Sequence, residues 1–199
     1  LLRENDLFPY GQRAGNCRSL LTWNNAVEKY KLSEIRKKME DYNKTHFETK
    51  KGMAVMPMCF GISFTTTYMN QASALVHVYI DGSISVSTGG VEMGQGLKSN
   101  IAGIVAKGFG IREHRIKIES TNTTRVANMS PSAASATTAL NGNATLIAIE
   151  QVLDRLKSMV AKELGVQDTG RITIVDEKVF CDGRETDWTW DRLVQTAHL

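Results

Sequence analysis

The residues best suited to chemistry lie in two uncharged stretches, not in an acid–base pair. Gly89-Gly90-Val91-Glu92-Met93-Gly94-Gln95-Gly96 places four glycines in eight residues. Glycines at this density let backbone approach a ligand closely. A helix opening just after Gly96 would aim free N–H groups at an anion, and the Gln95 amide can both donate and accept. A tight strand-to-helix turn explains the same glycines. No Gly-Lys-Ser/Thr follows, and the third glycine of a dinucleotide fingerprint is missing. The second stretch is Ser130-Pro131-Ser132-Ala133-Ala134-Ser135-Ala136-Thr137-Thr138. Hydroxyls and small residues at a helix N-terminus suit a phosphate or a polar cofactor edge. Close helix packing selects the same residue sizes.

Other catalytic groups are sparse. Glu92 is the only carboxylate between Asp81 and Glu113. It is a candidate general base, or an ordinary loop carboxylate. His46, His77, His114 and His198 are scattered, and no His-Glu-x-x-His or Gly-x-Ser-x-Gly pattern occurs. Cys17, Cys59 and Cys181 are too far apart in sequence for a zinc knuckle or a disulfide scaffold and fit a reducing compartment.

The elements that must position these stretches can be read from periodicity. Residues 1–17 read as irregular, with a turn at Pro9-Tyr10-Gly11. Apolar residues at helical spacing predict a helix over 19–43. Residues 53–64 read as a strand, with Pro57 marking an edge or a bulge. Two β-rich runs, 74–80 and 83–88, joined by Asp81-Gly82, predict a hairpin. A helix follows from Leu97 to Phe109, stopped by Gly110, and then a strand over 115–119. Ser130-Pro131 reads as N-cap and first residue of a long amphipathic helix that reaches Gly165. A second hairpin, 171–175 with 178–181, precedes a last helix capped by Asp187. The order predicts an α/β (α+β) fold with a mixed sheet and packed helices. Residues 1–51 form a segment leading into a domain over 52–199.

The 199 residues carry a formal net charge of +3, and 42% are hydrophobic. Residues 1–51 hold 11 basic and 7 acidic side chains, so the positive excess is all N-terminal. No Lys or Arg lies between Gly52 and Leu97, and no charge of either sign between Val126 and Ile149. A nucleic-acid surface needs a basic stripe beside its contact residues. Arg36-Lys37-Lys38 instead shares a helical stretch with Glu28, Glu34 and Glu40. No apolar run approaches the ~18–20 residues of a membrane span. Nucleic-acid and membrane partners are therefore not expected. The chain opens on Leu1-Leu2-Arg3 without Met and closes inside an amphipathic pattern with no cap, which points to a piece of a longer polypeptide.

Several motifs in order resemble the molybdenum hydroxylases, and within them the xanthine dehydrogenase group. They are Phe60-Gly61-Ile62-Ser63-Phe64-Thr65, His77-Val78-Tyr79 with Asp81-Gly82-Ser83, the 89–97 loop, Ser120-Thr121-Asn122-Thr123, Asn128 through Ser135, and Leu140-Asn141-Gly142. Asn5-Asp6-Leu7 with Tyr10-Gly11-Gln12 resembles the lead-in to this part of the large subunit. The resemblance implies a molybdopterin cofactor and hydroxylation of a purine or related heterocycle with oxygen from water. Electrons would leave through the pterin to iron–sulfur clusters and FAD on other regions or subunits.

By motif position, Gly94, Gln95 and Gly96 would hold the cofactor. Ala134 would sit beside the molybdenum, Ser135 and Thr137 would contact the pterin or its phosphate, and Phe64 and Thr65 would face the substrate ring. Ala139 stands where family members carry Asp. The family's catalytic glutamate lies in a Gly-Glu-Pro-Pro-like motif that does not occur in these 199 residues, and no iron–sulfur cysteine pattern is present. The expectation is thus a cytoplasmic hydroxylase of which this chain supplies part of the molybdopterin wall. Alone it would be inactive and free of molybdenum, its partners being the rest of the large subunit and the iron–sulfur and flavin parts. An aldehyde or nicotinate-type substrate also stays open. The competing reading is a non-catalytic small-ligand or partner-binding α/β module.

Overall fold

The computed structural model describes residues 1–125, 129–133 and 135–198. The chain divides into two compact units, Leu1–Phe60 and Gly61–Leu199.

In the first unit, Leu7 and Arg13 form an isolated antiparallel bridge around the turn at Gly11. The helical pattern forms two helices rather than one, α1 (Ser19–Lys29) and α2 (Leu32–Thr45). The break falls at Lys31, in the left-handed region with φ 50°. Neither Gly nor Pro announces it. Neither helix buries a residue fully. The Asn43 amide closes the end of α2 by pairing with both the N–H and the C=O of Lys51, at 2.8 Å each. The strand expected over 53–64 does not form. A strand exists only through a neighbour's ladder, and among the described residues none pairs with this segment.

The second unit carries the core. β1 (Ala74–Val78) and β2 (Ile84–Thr88) form the expected hairpin, with Val76 opposite Val86. α3 (Leu97–Phe109) then crosses over to β3 (Ile116–Ile118), which lies parallel to β2. β2 is central and buried along its whole length. α4 (Thr137–Glu163) packs on α3 and on β1. It starts six residues later than the Pro131 start expected from sequence. The Ser130 hydroxyl is engaged elsewhere, so it caps nothing.

A second sheet follows, of β4 (Ile172–Val175), β5 (Lys178–Cys181) and β6 (Arg184–Thr189), all antiparallel. β6 was not expected, and it contains Asp187. The cap of α5 (Trp190–Ala197) is Thr189, whose hydroxyl accepts from the Arg192 N–H. Both turns of this sheet, Asp176-Glu177 and Asp182-Gly183, have positive φ at both residues, as two-residue hairpins of matching twist require.

Trp190 and Phe109 anchor the core, with ring centroids 5.5 Å apart. The Trp190 indole N–H donates to the Gly82 carbonyl at 2.8 Å, so the buried ring leaves no polar atom unmet. Gly110 ends α3 at φ 71°, and a Cβ there would stand 2.0 Å from the Ile174 carbonyl oxygen. Only glycine fits this contact. Arg115 donates to Glu177 (2.9 Å) and Asp191 (2.8 Å), joining the first sheet to the second sheet and α5. Among the described residues, no helix is long and apolar enough to cross a membrane.

Candidate cofactor-binding site

Three loops of the second unit are tied together by hydrogen bonds between backbone and hydroxyl or amide groups. The first is the segment after Gly61. Asn70 holds it closed by accepting from the Phe64 N–H (2.9 Å) and donating to the Phe64 carbonyl (2.8 Å). The adjoining Gln71 N–H donates to the Ser130 hydroxyl at 2.8 Å, and the Ser130 N–H returns to the Gln71 carbonyl at 3.0 Å. Ser130 thus joins the Phe64 loop to the small-residue stretch.

That stretch is joined in turn to the glycine loop, because the Val91 N–H donates to the Ser132 hydroxyl at 2.8 Å. Thr121 adds a fourth strut, donating to the Gly90 carbonyl at 2.7 Å. Gly90 is seated where a Cβ would press on Leu97, Thr137 and Asn141. Its lack of a side chain lets the loop lie against the first turn of α4.

The glycine loop does not present an empty anion hole. The Glu92 carboxylate accepts from the N–H groups of Gly94 (2.9 Å), Gly96 (3.1 Å) and Lys98 (2.9 Å), which span the start of α3. The Lys98 N–H, with those of Gly94 and Gly96, holds the Glu92 carboxyl below the ordinary carboxylate range. Glu92 is thereby a poorer base, with its proton affinity lowered and three of its acceptor positions taken. It is the helix cap. Gln95 is turned inward too, donating to the Val91 carbonyl at 2.7 Å and accepting from the Met93 N–H at 2.5 Å.

The residues expected to hold a ligand divide accordingly. Gly94 (φ 94°) and Gly96 (φ 78°) have open space where a Cβ would be. Ser135 is exposed and held at φ 51°. Thr137 is buried at the start of α4, with its methyl toward Gly90. Phe64 is half-buried and Thr65 exposed. Ala134 lies outside the described residues.

Ser130, Ser132, Thr121 and Asn70 were missed as a set. Their residue types hinted at hydrogen bonding, but the partners lie up to 59 positions away and no spacing shows them. Asn141 is fully buried; its Nδ2 donates to the Thr137 carbonyl, while its Oδ1 meets no partner among the described residues.

The arrangement offers a polar ligand backbone and hydroxyl hydrogen-bonding groups. Both loops are free of cationic side chains up to Lys98. Their open positions are glycine backbone and hydroxyl, and the loops are tied to one another by the hydrogen bonds just described. Among the described residues no cluster of His, Cys, Asp and Glu could hold a metal directly. The glycine backbone and hydroxyl groups of these loops fit an organic cofactor such as a molybdopterin, held by hydrogen bonds.

Residues 25–199 match the family model of the molybdopterin cofactor-binding domain. The chain belongs to that family. Xanthine dehydrogenase of Oryza sativa subsp. japonica is 42% identical over 159 residues, 80% of this chain and 12% of its own length. The Emericella nidulans xanthine dehydrogenase is 43% identical over 152 residues, 76% of this chain and 11% of the relative. The chain therefore spans about an eighth of the curated relatives it matches. Among solved structures, quinoline 2-oxidoreductase from Pseudomonas putida superposes with a TM-score of 0.79 at 18% identity, covering 98% of this chain and 25% of that one. CO dehydrogenase from Oligotropha carboxidovorans gives 0.75 at 19% identity, over 98% and 26%. These two share the fold. The α/β architecture expected from sequence is that of a molybdopterin-binding domain.

Proposed function

We propose that this chain is the part of a xanthine dehydrogenase-type hydroxylase that forms one wall of the molybdopterin site, with 52–199 as the partial binding domain and 1–51 leading into it. The observation that carries this reading is the linkage of the Phe64 loop, the glycine loop and the 130–137 stretch through Ser130 and Ser132. It brings together the three segments that the cofactor and substrate roles require. When bound, the molybdenum–pterin group supplies two-electron redox chemistry, here directed at a purine or related heterocycle.

The work of the chain is positioning. Gly94 and Gly96 let the backbone come within contact of the pterin, and Gln95 keeps their loop closed. Ser135 offers a hydroxyl, Thr137 sets the start of α4 behind Gly90, and Ala134 leaves room beside the metal. Phe64 packs on the substrate ring, and Thr65 hydrogen-bonds near it. The proton-taking glutamate is supplied from outside these residues, as are the iron–sulfur and flavin groups that receive electrons. The rest of the large subunit is the principal partner. Three unbridged cysteines support a cytoplasmic setting.

The test is to purify the full-length product of the gene, measure its molybdenum content, and assay xanthine and hypoxanthine oxidation. Gly94→Val should lower bound molybdenum by at least tenfold, and Ser135→Ala less. The 199-residue chain alone should show no turnover. A full-length product that binds no molybdenum, or turnover by the isolated chain, overturns the reading. A full-length, molybdenum-free protein that binds some other small ligand would instead support a non-catalytic module.

A further inference from the structure

Asn141 lies wholly inside the second unit, yet its Oδ1 accepts no hydrogen bond among the described residues. A buried amide oxygen without a donor is costly, and a leucine of similar size would avoid that cost. The side chain sits at the back of the glycine loop. Its Nδ2 stands 3.2 Å from where a Gly90 Cβ would be, beside Leu97 and Thr137. Gly90 in turn carries an unmet donor. Its carbonyl is taken by the Thr121 hydroxyl at 2.7 Å, and the next N–H, that of Val91, donates to Ser132 at 2.8 Å. The Gly90 N–H itself donates to none of the described residues. An acceptor and a donor, both unmet, thus belong to two residues in contact.

The neighbouring turns of α4 supply the contrast. Thr145, the next buried polar residue on this face, donates its hydroxyl to the Asn141 carbonyl at 2.7 Å and is satisfied. The Asn141 Nδ2 reaches back to the Thr137 carbonyl at 2.9 Å in the same way. That carbonyl is one the helix ladder already serves, so turning the carboxamide gives up little. As the side chain stands, Nδ2 rather than Oδ1 is turned toward Gly90. Pairing Oδ1 with the Gly90 N–H therefore takes a shift of the loop or a turn of the carboxamide.

We propose that Asn141 is a positioning residue of the cofactor site: its Oδ1 accepts from the Gly90 N–H when the glycine loop closes on a molybdopterin, and so locks the back of the loop to α4. This rests on the reading that these loops hold that cofactor. Thr121 and Ser132 already hold Gly90 and Val91 from the two hydroxyl-rich segments, and Asn141 adds the hold from the helix. It acts on the ligand through the Gly90 backbone and touches no ligand atom itself.

Residue-resolved hydrogen exchange on the full-length protein tests this, with samples from a host that makes the pterin and from one that cannot. The Gly90 amide should exchange on the order of 10-fold more slowly in the cofactor-loaded protein. Asn141→Leu should abolish that difference and lower bound molybdenum by about tenfold. Its cofactor-free form should melt no lower than the cofactor-free wild type, because the unmet oxygen is gone. Thr145→Val, on the same helix face, should leave the Gly90 protection and the molybdenum content unchanged. An Asn141→Leu protein that keeps both the protection and the metal overturns the proposal. So does one that melts several degrees lower without cofactor, which would make Asn141 a packing residue. Wild type that binds molybdenum with Gly90 exchange equal in the two samples sinks the Asn141 role alone. Wild type that takes up no molybdenum sinks the cofactor reading, and this role with it.

Discussion

The two units differ in what they bury. Gly61–Leu199 closes around Trp190, Phe109, Ile84, Ile101 and Val160, each at most 1% exposed. In Leu1–Phe60 only Ala14 is buried, and Leu20, Leu21, Tyr30 and Phe47 stand in solvent. Yet the helices of the first unit have apolar residues at the same helical spacing. Periodicity therefore announces a face that seeks cover, and only the presence of a partner converts that face into stability. The second unit contains its own partners, and the first does not.

Substitutions can break or sharpen this contrast. The largest effect is expected for Trp190→Ala, which removes a fully buried ring and orphans the Gly82 carbonyl; a loss of about 3–5 kcal/mol in urea unfolding is expected. Gly110→Ala comes next. The left-handed backbone alone costs roughly 1–3 kcal/mol, and the collision with the Ile174 carbonyl adds to it. Both should lower the urea midpoint for unfolding of the second unit.

Glu177→Ala should cost about 1.5–3 kcal/mol by removing charged hydrogen bonds to Arg115. Arg115 holds the Glu177 carboxyl below its ordinary range, so this stabilisation is complete above the usual carboxylate pKa of about 4.3. It is lost as pH falls through the lower folded value. Acid unfolding of the wild type should show this step, and the variant should lack it. Glu92→Gln should speed amide exchange at Gly94, Gly96 and Lys98, with only a small drop in melting temperature. Smallest of all, Leu20→Ala should fall within about 0.5 kcal/mol in this chain. A Leu20→Ala loss as large as that of Trp190→Ala would erase the contrast between the units.

What the sequence revealed follows the same division. The hairpin around Asp81-Gly82, α3 with its Gly110 stop, and the β4–β5 hairpin are set by local turn chemistry and were legible. The break at Lys31, the unformed strand at 53–64 and the late start of α4 were not. Each depends on a partner or on a competing hydrogen bond, such as Gln71 claiming the Ser130 hydroxyl. At the candidate site, the two uncharged stretches and the Phe64 segment stood out by composition and by family resemblance. Their mutual ties through Ser130, Ser132 and Thr121 are contacts between residues far apart in sequence, which no motif encodes.

The capped end of α3 has a consequence for selectivity. Because Glu92 fills that helix end from within, the charge attraction that would draw free phosphate or a nucleotide to the loop is already neutralised. Small anions abundant in cells gain little by docking there. A ligand held at this loop would be gripped by outline and hydrogen-bond pattern rather than drawn in by a positive helix end.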